Sequence, residues 1–407
     1  MQLKRIIVTH LFILSLLSAN AQQAHNTEAQ ATNDSIAALT TTTIGGYGNA
    51  YYKRDNNSQQ ATLNMERFVV FVGHKFSKNI SLLSELEVED AKVAGGDIGG
   101  EVALEQCYLK FKINPTNYFV TGLFIPSIGI INENHLPNSF HSNERPQVES
   151  KIIPTTWREL GVGFFGTLNR VPISYSLSII NGLNSAAFKH GTVIRKGRME
   201  GSNASANNLA VTGAIQCSKN SFKAHLSGYY GGTVGVAKRI ADTLKLSAGI
   251  LGTPVFLGEA DIQYELEGFS LRLLGSMISI PDAAKINNAY HSNTPKTAFG
   301  AYAELSYNLF QKMSSPQAKQ LLLFVRYEWL DLNATIPNNG VMDKTLQQQH
   351  LTTGIHFLPI PNISIKADLR FQQTGPENPL LINPPSTTPP VYQKGNRFFY
   401  LGIGYSF

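Results

Sequence analysis

The chain has 407 residues, a formal net charge of +6 and 15% charged residues, whereas soluble domains carry roughly 25%. The positive charge is mild and forms no basic run, which excludes a nucleic-acid-binding surface of the usual kind. After residue 21, no apolar run approaches the ~20 residues that a transmembrane helix needs.

Residues 1–21 predict a cleaved secretory signal peptide. A short basic start precedes an apolar stretch, and Ala19 and Ala21 occupy the small-residue positions of a signal peptidase site. Residues 22–42 are rich in Thr, Ala, Gln and Asn and predict a flexible N-terminal leader. A secreted chain with few charges and no membrane helix favours a closed β-barrel, which also satisfies its backbone hydrogen bonds in lipid.

From residue 43 to residue 407 the dominant hydrophobic period is two, the period of a β-strand. Apolar residues alternate with polar or small ones, which is typical of a barrel strand with lipid on one side and a wet interior on the other. The stretches with this pattern predict strands at 43–52, 64–76, 79–90, 101–113, 117–125, 159–167, 172–182, 206–217, 221–231, 255–266, 269–280, 297–309, 320–332, 349–358, 362–372 and 396–407.

The connections between these stretches alternate between long and short, and the stretch QKMSSPQAKQ, of middling length, is the one poor fit. Outer-membrane barrels have short periplasmic turns, long extracellular loops and an even number of antiparallel strands. The sequence therefore predicts an all-β fold, a transmembrane antiparallel β-barrel of about 16 strands, with 14 or 18 as alternatives.

The parity of each strand assigns charged residues to the lumen. The basic candidates are Lys110, Lys112, Lys223, Arg272, Arg326, Lys366 and Arg370. The acidic candidates are Glu85, Glu87, Glu89, Glu159, Glu259, Asp261, Glu265, Glu304, Glu328 and Asp368. The wall is thus mixed and slightly acidic. Three acids at period two, as at residues 85–89, indicate a hydrated lumen stripe in preference to a divalent-cation site at the rim.

The end of the chain resembles the signal that barrel-insertion machinery reads on bacterial outer-membrane proteins. Tyr400, Gly402, Tyr405 and Phe407 occupy its positions, and the last residue is an aromatic. Together with the signal peptide and the loop alternation, this predicts insertion into the outer membrane of a Gram-negative bacterium.

Three segments resemble the phosphate-selective porin O and P family, in the versions found in Bacteroidetes-type bacteria. They are GLFIPSIGIINE at 122–133, WRELGVGFFGTL at 157–168 and YSLSIINGLN at 175–184. The resemblance implies a sixteen-stranded barrel, usually a homotrimer, that passes small solutes by diffusion. It also implies that the third long loop, 126–158, folds into the lumen and sets its narrowest point; the alternative is an ordinary surface loop.

The constriction candidates on this loop are Glu133, His135, His141, Glu144, Arg145, Glu149, Lys151 and Arg158. A ring of charge in a narrow wall can select ions. Phosphate selectivity in the founding members depends on a ladder of inward Arg and Lys, and the mixed wall here departs from it. We therefore do not expect phosphate specificity.

The sequence contains no convincing catalytic set, metal site or cofactor motif, so we expect neither an enzyme nor a cofactor. His135 and His141 lack the spacing of metal ligands and a third partner. Basic residues assigned to loops could attract anions or bind lipopolysaccharide; they are Lys53, Arg54, Lys189, Arg195, Lys196, Arg198, Lys238 and Arg239.

These observations predict an outer-membrane porin for passive diffusion of small hydrophilic solutes or ions. Its expected partners are outer-membrane lipid, lipopolysaccharide, the barrel-assembly machinery and two further copies of the chain, without nucleic acid. The alternative is a barrel with a blocked lumen that serves as an adhesin or loop-display scaffold.

Overall fold

The computed structural model describes residues 41–91, 100–311, 319–378 and 394–407. These residues form one closed barrel in which every strand pairs antiparallel with its sequence neighbours and β1 pairs with β16. The strands are β1 (Thr41–Asp55), β2 (Ala61–Lys75), β3 (Ile80–Glu89), β4 (Val102–Lys112), β5 (Asn117–Phe124), β6 (Glu159–Thr167), β7 (Ile173–Asn181), β8 (Leu209–Lys219), β9 (Phe222–Gly231), β10 (Val255–Leu266), β11 (Phe269–Ser279), β12 (Thr297–Asn308), β13 (Gln320–Thr335), β14 (Gln347–Ile360), β15 (Ile363–Thr374) and β16 (Gly395–Ser406).

The predicted sixteen-stranded antiparallel barrel is therefore confirmed, and the alternatives of 14 and 18 strands are wrong. The signal peptide 1–21 and nearly all of the leader 22–42 lie outside the described residues. Those two predictions stay predictions.

Most long connections leave the barrel at one end, called here the long-loop end. The other end, the short-turn end, has one connection of comparable length, 309–319 between β12 and β13. The long connections carry short helices: Ile130–Glu133, Gln147–Lys151, Lys238–Thr243 and Ala283–Tyr290. Three single 3₁₀ turns lie at Ser185–Ala187, Arg195–Gly197 and Lys344–Leu346. Among the described residues, no helix has the length and apolar character needed to cross a membrane.

The alternation along each strand separates an apolar outside from a polar inside. On β13, Leu323, Val325 and Tyr327 are exposed on the outer surface, whereas Arg326 and Glu328 are buried in the lumen. The outer apolar surface recurs on the other strands, for example at Leu401 and Ile403 of β16. This is the face expected to meet lipid.

The end of the chain closes the barrel. Phe407 exchanges two backbone hydrogen bonds with Gly46, at N–O distances of 3.0 and 2.9 Å. β1 and β16 continue from there in register from Tyr47–Ser406 to Asp55–Phe398. The terminal strand thus removes the open sheet edge that would otherwise expose unpaired backbone groups.

A hydrophobic core lies inside the barrel near the long-loop end, which the sequence analysis did not predict. Trp157, Ile152 and Ile194 are completely buried in it, together with wall residues such as Ile278 and Leu257. The long connections supply much of this core, so they are packed elements and not only solvated links.

Candidate functional site

The segment 126–158, between β5 and β6, lies inside the barrel. Wall residues on opposite sides contact it: Arg272 of β11 donates to the carbonyl of Ser139 at 3.1 Å, and Tyr47 of β1 stacks edge-on against His135 with ring centroids 5.8 Å apart. We call residues 126–158 the infolded segment. Its contacts with the wall hold it within the lumen.

Two neighbouring side chains of β15 hold the tip of the infolded segment. The Lys366 ammonium donates to the carbonyls of Pro137 and Ser142, at 2.5 and 3.0 Å. Asp368 accepts from the backbone N–H and the side-chain amide of Asn143, at 2.9 and 2.5 Å. Charged donors and acceptors form the stronger class of hydrogen bond, so these four bonds hold residues 137–143, called here the tip of the infolded segment, against β15.

Glu144 makes a second anchor, toward β1, β15 and β16. Its carboxylate lies 2.7 Å from Arg370 Nη1 and 3.3 Å from Lys53 Nζ, and it accepts from the Tyr400 hydroxyl at 2.6 Å. Burial opposes ionisation of Glu144, but Arg370 and Lys53 outweigh it and hold the pKa of Glu144 below its usual range. The carboxylate is therefore charged at neutral pH.

A buried ionic network lies on the wall behind the infolded segment. Arg326 of β13 bonds Glu304 of β12 and Glu328 of β13, both at 2.9 Å, and all three side chains are nearly inaccessible. Glu328 also accepts from the backbone N–H of Val148 at 3.0 Å. His141 lies 3.8 Å from Glu304. The network thus joins two strands to the infolded segment.

Glu149 is the most deeply buried acid of the infolded segment. It accepts from the Ile131 backbone N–H at 2.6 Å and from the Tyr302 hydroxyl at 2.7 Å. Burial raises its pKa to about 8 despite these two donors. The side chain therefore carries a proton through most of the physiological range.

This protonation predicts a pH dependence of stability. Below pH ~4.5, Glu149 is protonated in both the folded and the unfolded states; between pH ~4.5 and ~8 only the unfolded state ionises, so this contribution to stability is lost as the pH rises. Glu149→Gln, which imitates the protonated acid, should unfold at the same denaturant concentration as the wild type at pH 4.5. At pH 8.5, Glu149→Gln should unfold at a higher denaturant concentration than the wild type. Unfolding midpoints that are equal for the two proteins at both pH values would contradict a raised pKa of Glu149.

Near its tip, the infolded segment also contacts β3 and β4 through His135. His135 Nε2 lies 3.8 Å from both Glu85 and Glu105. Burial alone would lower the pKa of His135, but the two carboxylates outweigh it and raise that pKa above its usual value. Arg67 and Arg145 add positive charge near Glu105. The cluster therefore contains cations of its own.

Glycines on the wall provide the space for this segment. A Cβ on Gly402 would overlap the side-chain oxygen of Asn143, and one on Gly404 would lie 2.7 Å from Pro137 Cβ. A Cβ on Gly300 of β12 would lie 3.1 Å from the methyl carbons of Val148. The small residues on the inner face of β16 are thus explained by the close approach of the infolded segment.

We expect Gly402→Ala to displace Asn143 and break its bonds to Asp368. The tip should then become accessible, which limited proteolysis of the folded protein would detect as new cleavage near residue 143. Gly275→Ala is the matched control, since a Cβ there meets nothing within 4 Å. Identical cleavage patterns for the two variants would contradict the packing described here.

The remaining predicted lumen residues take different positions. Lys110 is buried over the Tyr118 ring at 3.9 Å, and Lys151 donates to Gln348 at 2.8 Å. Glu87 pairs with Arg67 at 3.5 Å. Glu159 accepts a hydrogen bond from the Trp157 indole N–H at 3.1 Å. Two residues are half-buried: Lys112 and Glu89. Three are exposed: Glu133, Lys223 and Glu265.

Arg158 and several basic residues assigned to loops are in structural contacts. Arg158 lies 3.4 Å from Glu200 of the following loop. Lys53 and Arg54 belong to β1 and not to a loop. Arg195 and Arg198 donate to carbonyls of the infolded segment, including Ser150 at 2.8 Å and Thr156 at 2.7 Å. The prediction that Lys53 and Arg54 lie in loops is therefore wrong, whereas Arg195 and Arg198 lie in the loop between β7 and β8 as expected. That such residues attract anions or bind lipopolysaccharide stays a prediction.

The sequence analysis missed several inward residues. They are Arg67, Glu105, His225, His350 and His356, all buried in the lumen. On β9, His225 shares the parity of Lys223, and on β14 the outward Leu351 and Ile355 leave His350 and His356 on the inner face, so parity within each strand could have found them. Tyr400 was interpreted only as an insertion signal, but its hydroxyl also contacts the infolded segment.

A cavity of about 80 Å³ lies between the infolded segment and the short-turn half of β8–β11. Its lining residues include Glu133, Ser139, Lys223, His225, Asp261 and Arg272. The lining is polar and carries both signs of charge. The cavity is therefore a place where water, an ion or a small polar solute can lie against the wall.

Comparison with known proteins agrees with this architecture. No family model matches the chain. The outer-membrane channel DcaP of Acinetobacter baumannii superposes with a TM-score of 0.53 at 12% identity, covering 93% of this chain and 100% of its own. An anion-selective porin from Comamonas acidovorans gives 0.52 at 10% identity (90% and 100%), and Salmonella typhi OmpF gives 0.53 at 9% (90% and 98%).

At these identities the superpositions establish the fold alone: the chain has the same closed antiparallel β-barrel fold as these proteins. An uncharacterized protein of Aquifex aeolicus is 31% identical over 337 residues, covering 80% of this chain and 74% of the relative. The chain belongs to the same family as this Aquifex protein. Membership of the phosphate-selective porin O and P family stays a prediction.

Proposed function

We propose that this protein is a channel of the bacterial outer membrane that passes small hydrophilic solutes or ions by diffusion. The observation that carries the proposal is the infolded segment, held inside a sixteen-stranded barrel by charged and polar wall residues. Barrels of this size are wide enough for an aqueous interior. The infolded segment narrows that interior and so limits the conductance. The proposal includes no enzymatic activity.

Placement in the outer membrane is supported by the apolar outer surface and by the terminal strand. β16 closes the barrel through its pairing with β1, to which Phe407 adds two backbone hydrogen bonds with Gly46. Lipid and lipopolysaccharide would contact the outer surface, and the barrel-assembly machinery would insert the chain. Solved structures with the same fold include an outer-membrane protein of Vibrio cholerae and the outer-membrane channel DcaP of Acinetobacter baumannii.

The charges of the wall favour weak ion selectivity. Arg326 and Arg370 are each paired with a carboxylate, and the Lys366 ammonium donates to backbone carbonyls. They offer no ladder of unpaired cations for phosphate. We therefore propose a path for small ions of either sign and not a phosphate-specific one.

A specific observation favours a second candidate, a barrel with a blocked lumen that displays its loops. Many lumen side chains are completely buried, including Glu328 and Trp157, so the infolded segment fills much of the cross-section. In that case the barrel would be a scaffold whose outer loops bind a partner.

Single-channel recording of refolded protein in a planar bilayer tests the proposal. Discrete current steps from protein that is heat-modifiable on a gel would support the channel. Their absence in folded protein would reject the channel and favour the scaffold, for which protease trimming of the outer loops should abolish binding.

The homotrimer that the family resemblance implies is part of the proposal. One solved structure of the same fold is described as a trimer form of the Vibrio cholerae protein OmpT, with a TM-score of 0.51. Native mass spectrometry of the detergent-extracted protein would distinguish a trimer from a monomer.

A further inference from the structure

Three inward side chains of β9 and β10 form a compact cluster on the lumen wall. His225 Nδ1 lies 3.0 Å from Asp261 Oδ2 and 3.2 Å from Glu259 Oε2. His225 and Asp261 are direct cross-strand partners, and Glu259 faces Ser227 in the same pairing. All three side chains are more than nine-tenths buried. The sheet itself therefore fixes one imidazole against two carboxylates.

Two carboxylates share a single imidazole, so the cluster keeps one unbalanced negative charge even when His225 is protonated. Among the described residues, neither Glu259 nor Asp261 forms an ion pair with a lysine or an arginine. Within the same part of the chain, Glu259 Oε1 is buried without any hydrogen-bond partner. Buried charges in proteins are paired or coordinate a metal. A cation is the component that would complete this cluster.

Other contacts hold the carboxylates in place. The Ser227 hydroxyl donates to Glu259, and the Gln263 amide donates to Asp261 Oδ1 at 3.1 Å. Hydrogen bonds of this kind orient the ligands of metal sites. The cavity of about 80 Å³ borders His225, Asp261 and Gln263, so an ion has room for water ligands and a path of entry.

We propose that His225, Glu259 and Asp261 bind a divalent transition-metal ion of the Zn²⁺ type, with water from the cavity completing its coordination. Imidazole with carboxylates is a ligand set that suits such ions. Donor atoms 3.0 and 3.2 Å apart fit adjacent positions around an ion with bonds of about 2.0–2.2 Å. Metal binding can be measured whether or not the channel opens, so this proposal can be tested separately from the proposed channel function.

The cluster of His135, Glu85 and Glu105 is the other group of this type in the described part of the chain. Its donor atoms are wider apart, with His135 Nε2 at 3.8 Å from each acid. Arg67 and Arg145 already supply positive charge there. This second cluster is the alternative zinc site that the test has to distinguish from the first.

Isothermal titration calorimetry of EDTA-treated, refolded protein with Zn²⁺ tests the proposal. We expect one site, with affinity reduced at least about tenfold by Asp261→Asn and by His225→Gln, each shown to be folded by heat-modifiability. His291→Ala, which removes an exposed loop imidazole, should bind like the wild type. Mg²⁺ should compete poorly, since it prefers sites made of oxygen ligands alone.

X-ray absorption of the zinc-loaded wild type keeps the test independent of whether the variants fold. It should report one imidazole and otherwise oxygen ligands. No binding to the folded wild type would overturn the proposal. So would binding that survives both substitutions but is lost in Glu105→Gln, or a zinc spectrum with sulfur ligands.

Discussion

Arg326→Met is expected to destabilise the barrel by about 3–5 kcal/mol, because it removes the cation that two buried carboxylates share. Glu328 then loses its arginine partner, and Glu304 keeps the more distant Arg272, at 3.6 Å. Glu304 and Glu328 each lie 2.9 Å from the guanidinium, and none of the three side chains is more than 3% exposed. The midpoint of guanidinium unfolding in detergent should fall accordingly, and some of the protein should fail to refold.

Two companion variants separate charge from size at this position. Arg326→Lys keeps the charge but not the planar fork that reaches both acids, so it should recover part of the stability. Adding Glu304→Gln and Glu328→Gln to Arg326→Met removes the unpaired charges and should recover more. An unfolding midpoint of Arg326→Met equal to that of the wild type would show that the network does not stabilise the barrel.

Glu144→Ala is expected to release the infolded segment from β1, β15 and β16. The substitution removes the ion pair with Arg370 at 2.7 Å and the hydrogen bond from the Tyr400 hydroxyl at 2.6 Å. A hydrogen bond to a charged group is worth about 1.5–3 kcal/mol. Single channels should become larger and noisier. The freed Arg370 and Lys53 should shift the reversal potential in a KCl gradient toward anion preference.

Glu265→Gln is the matched control for Glu144→Ala. It also removes one inward acid, but Glu265 is exposed near the short-turn end, away from the infolded segment. Its conductance should equal that of the wild type. If both variants changed conductance equally, the effect of Glu144→Ala would come from lumen charge and not from the anchor.

The strands and their faces could be predicted from the sequence because alternation is a local property. Leu323, Val325 and Tyr327 are outside and Arg326 and Glu328 are inside, as parity indicated. Parity failed where the register shifts. A bulge between β3 and β4 at Glu85 and Leu86 leaves both Glu105 and Gln106 buried, so Glu105 was not assigned to the lumen.

Contacts between distant segments could not be predicted in the same way. His225 meets Asp261 because β9 and β10 pair in one register, yet the connection 232–254 is too long to set that register locally. The core around Trp157 and Ile194 was missed because apolar residues in loops follow no period. The partners of Glu144 likewise depend on how the infolded segment crosses the lumen.

The most direct test of the account compares single-channel conductance of the wild type with that of a variant whose residues 137–145 are replaced by a short Gly-Ser linker. This stretch carries the contacts with Lys366, Asp368 and Arg370. We expect small current steps for the wild type and clearly larger ones for the variant. Equal steps from two folded proteins would contradict the claim that the infolded segment limits conduction.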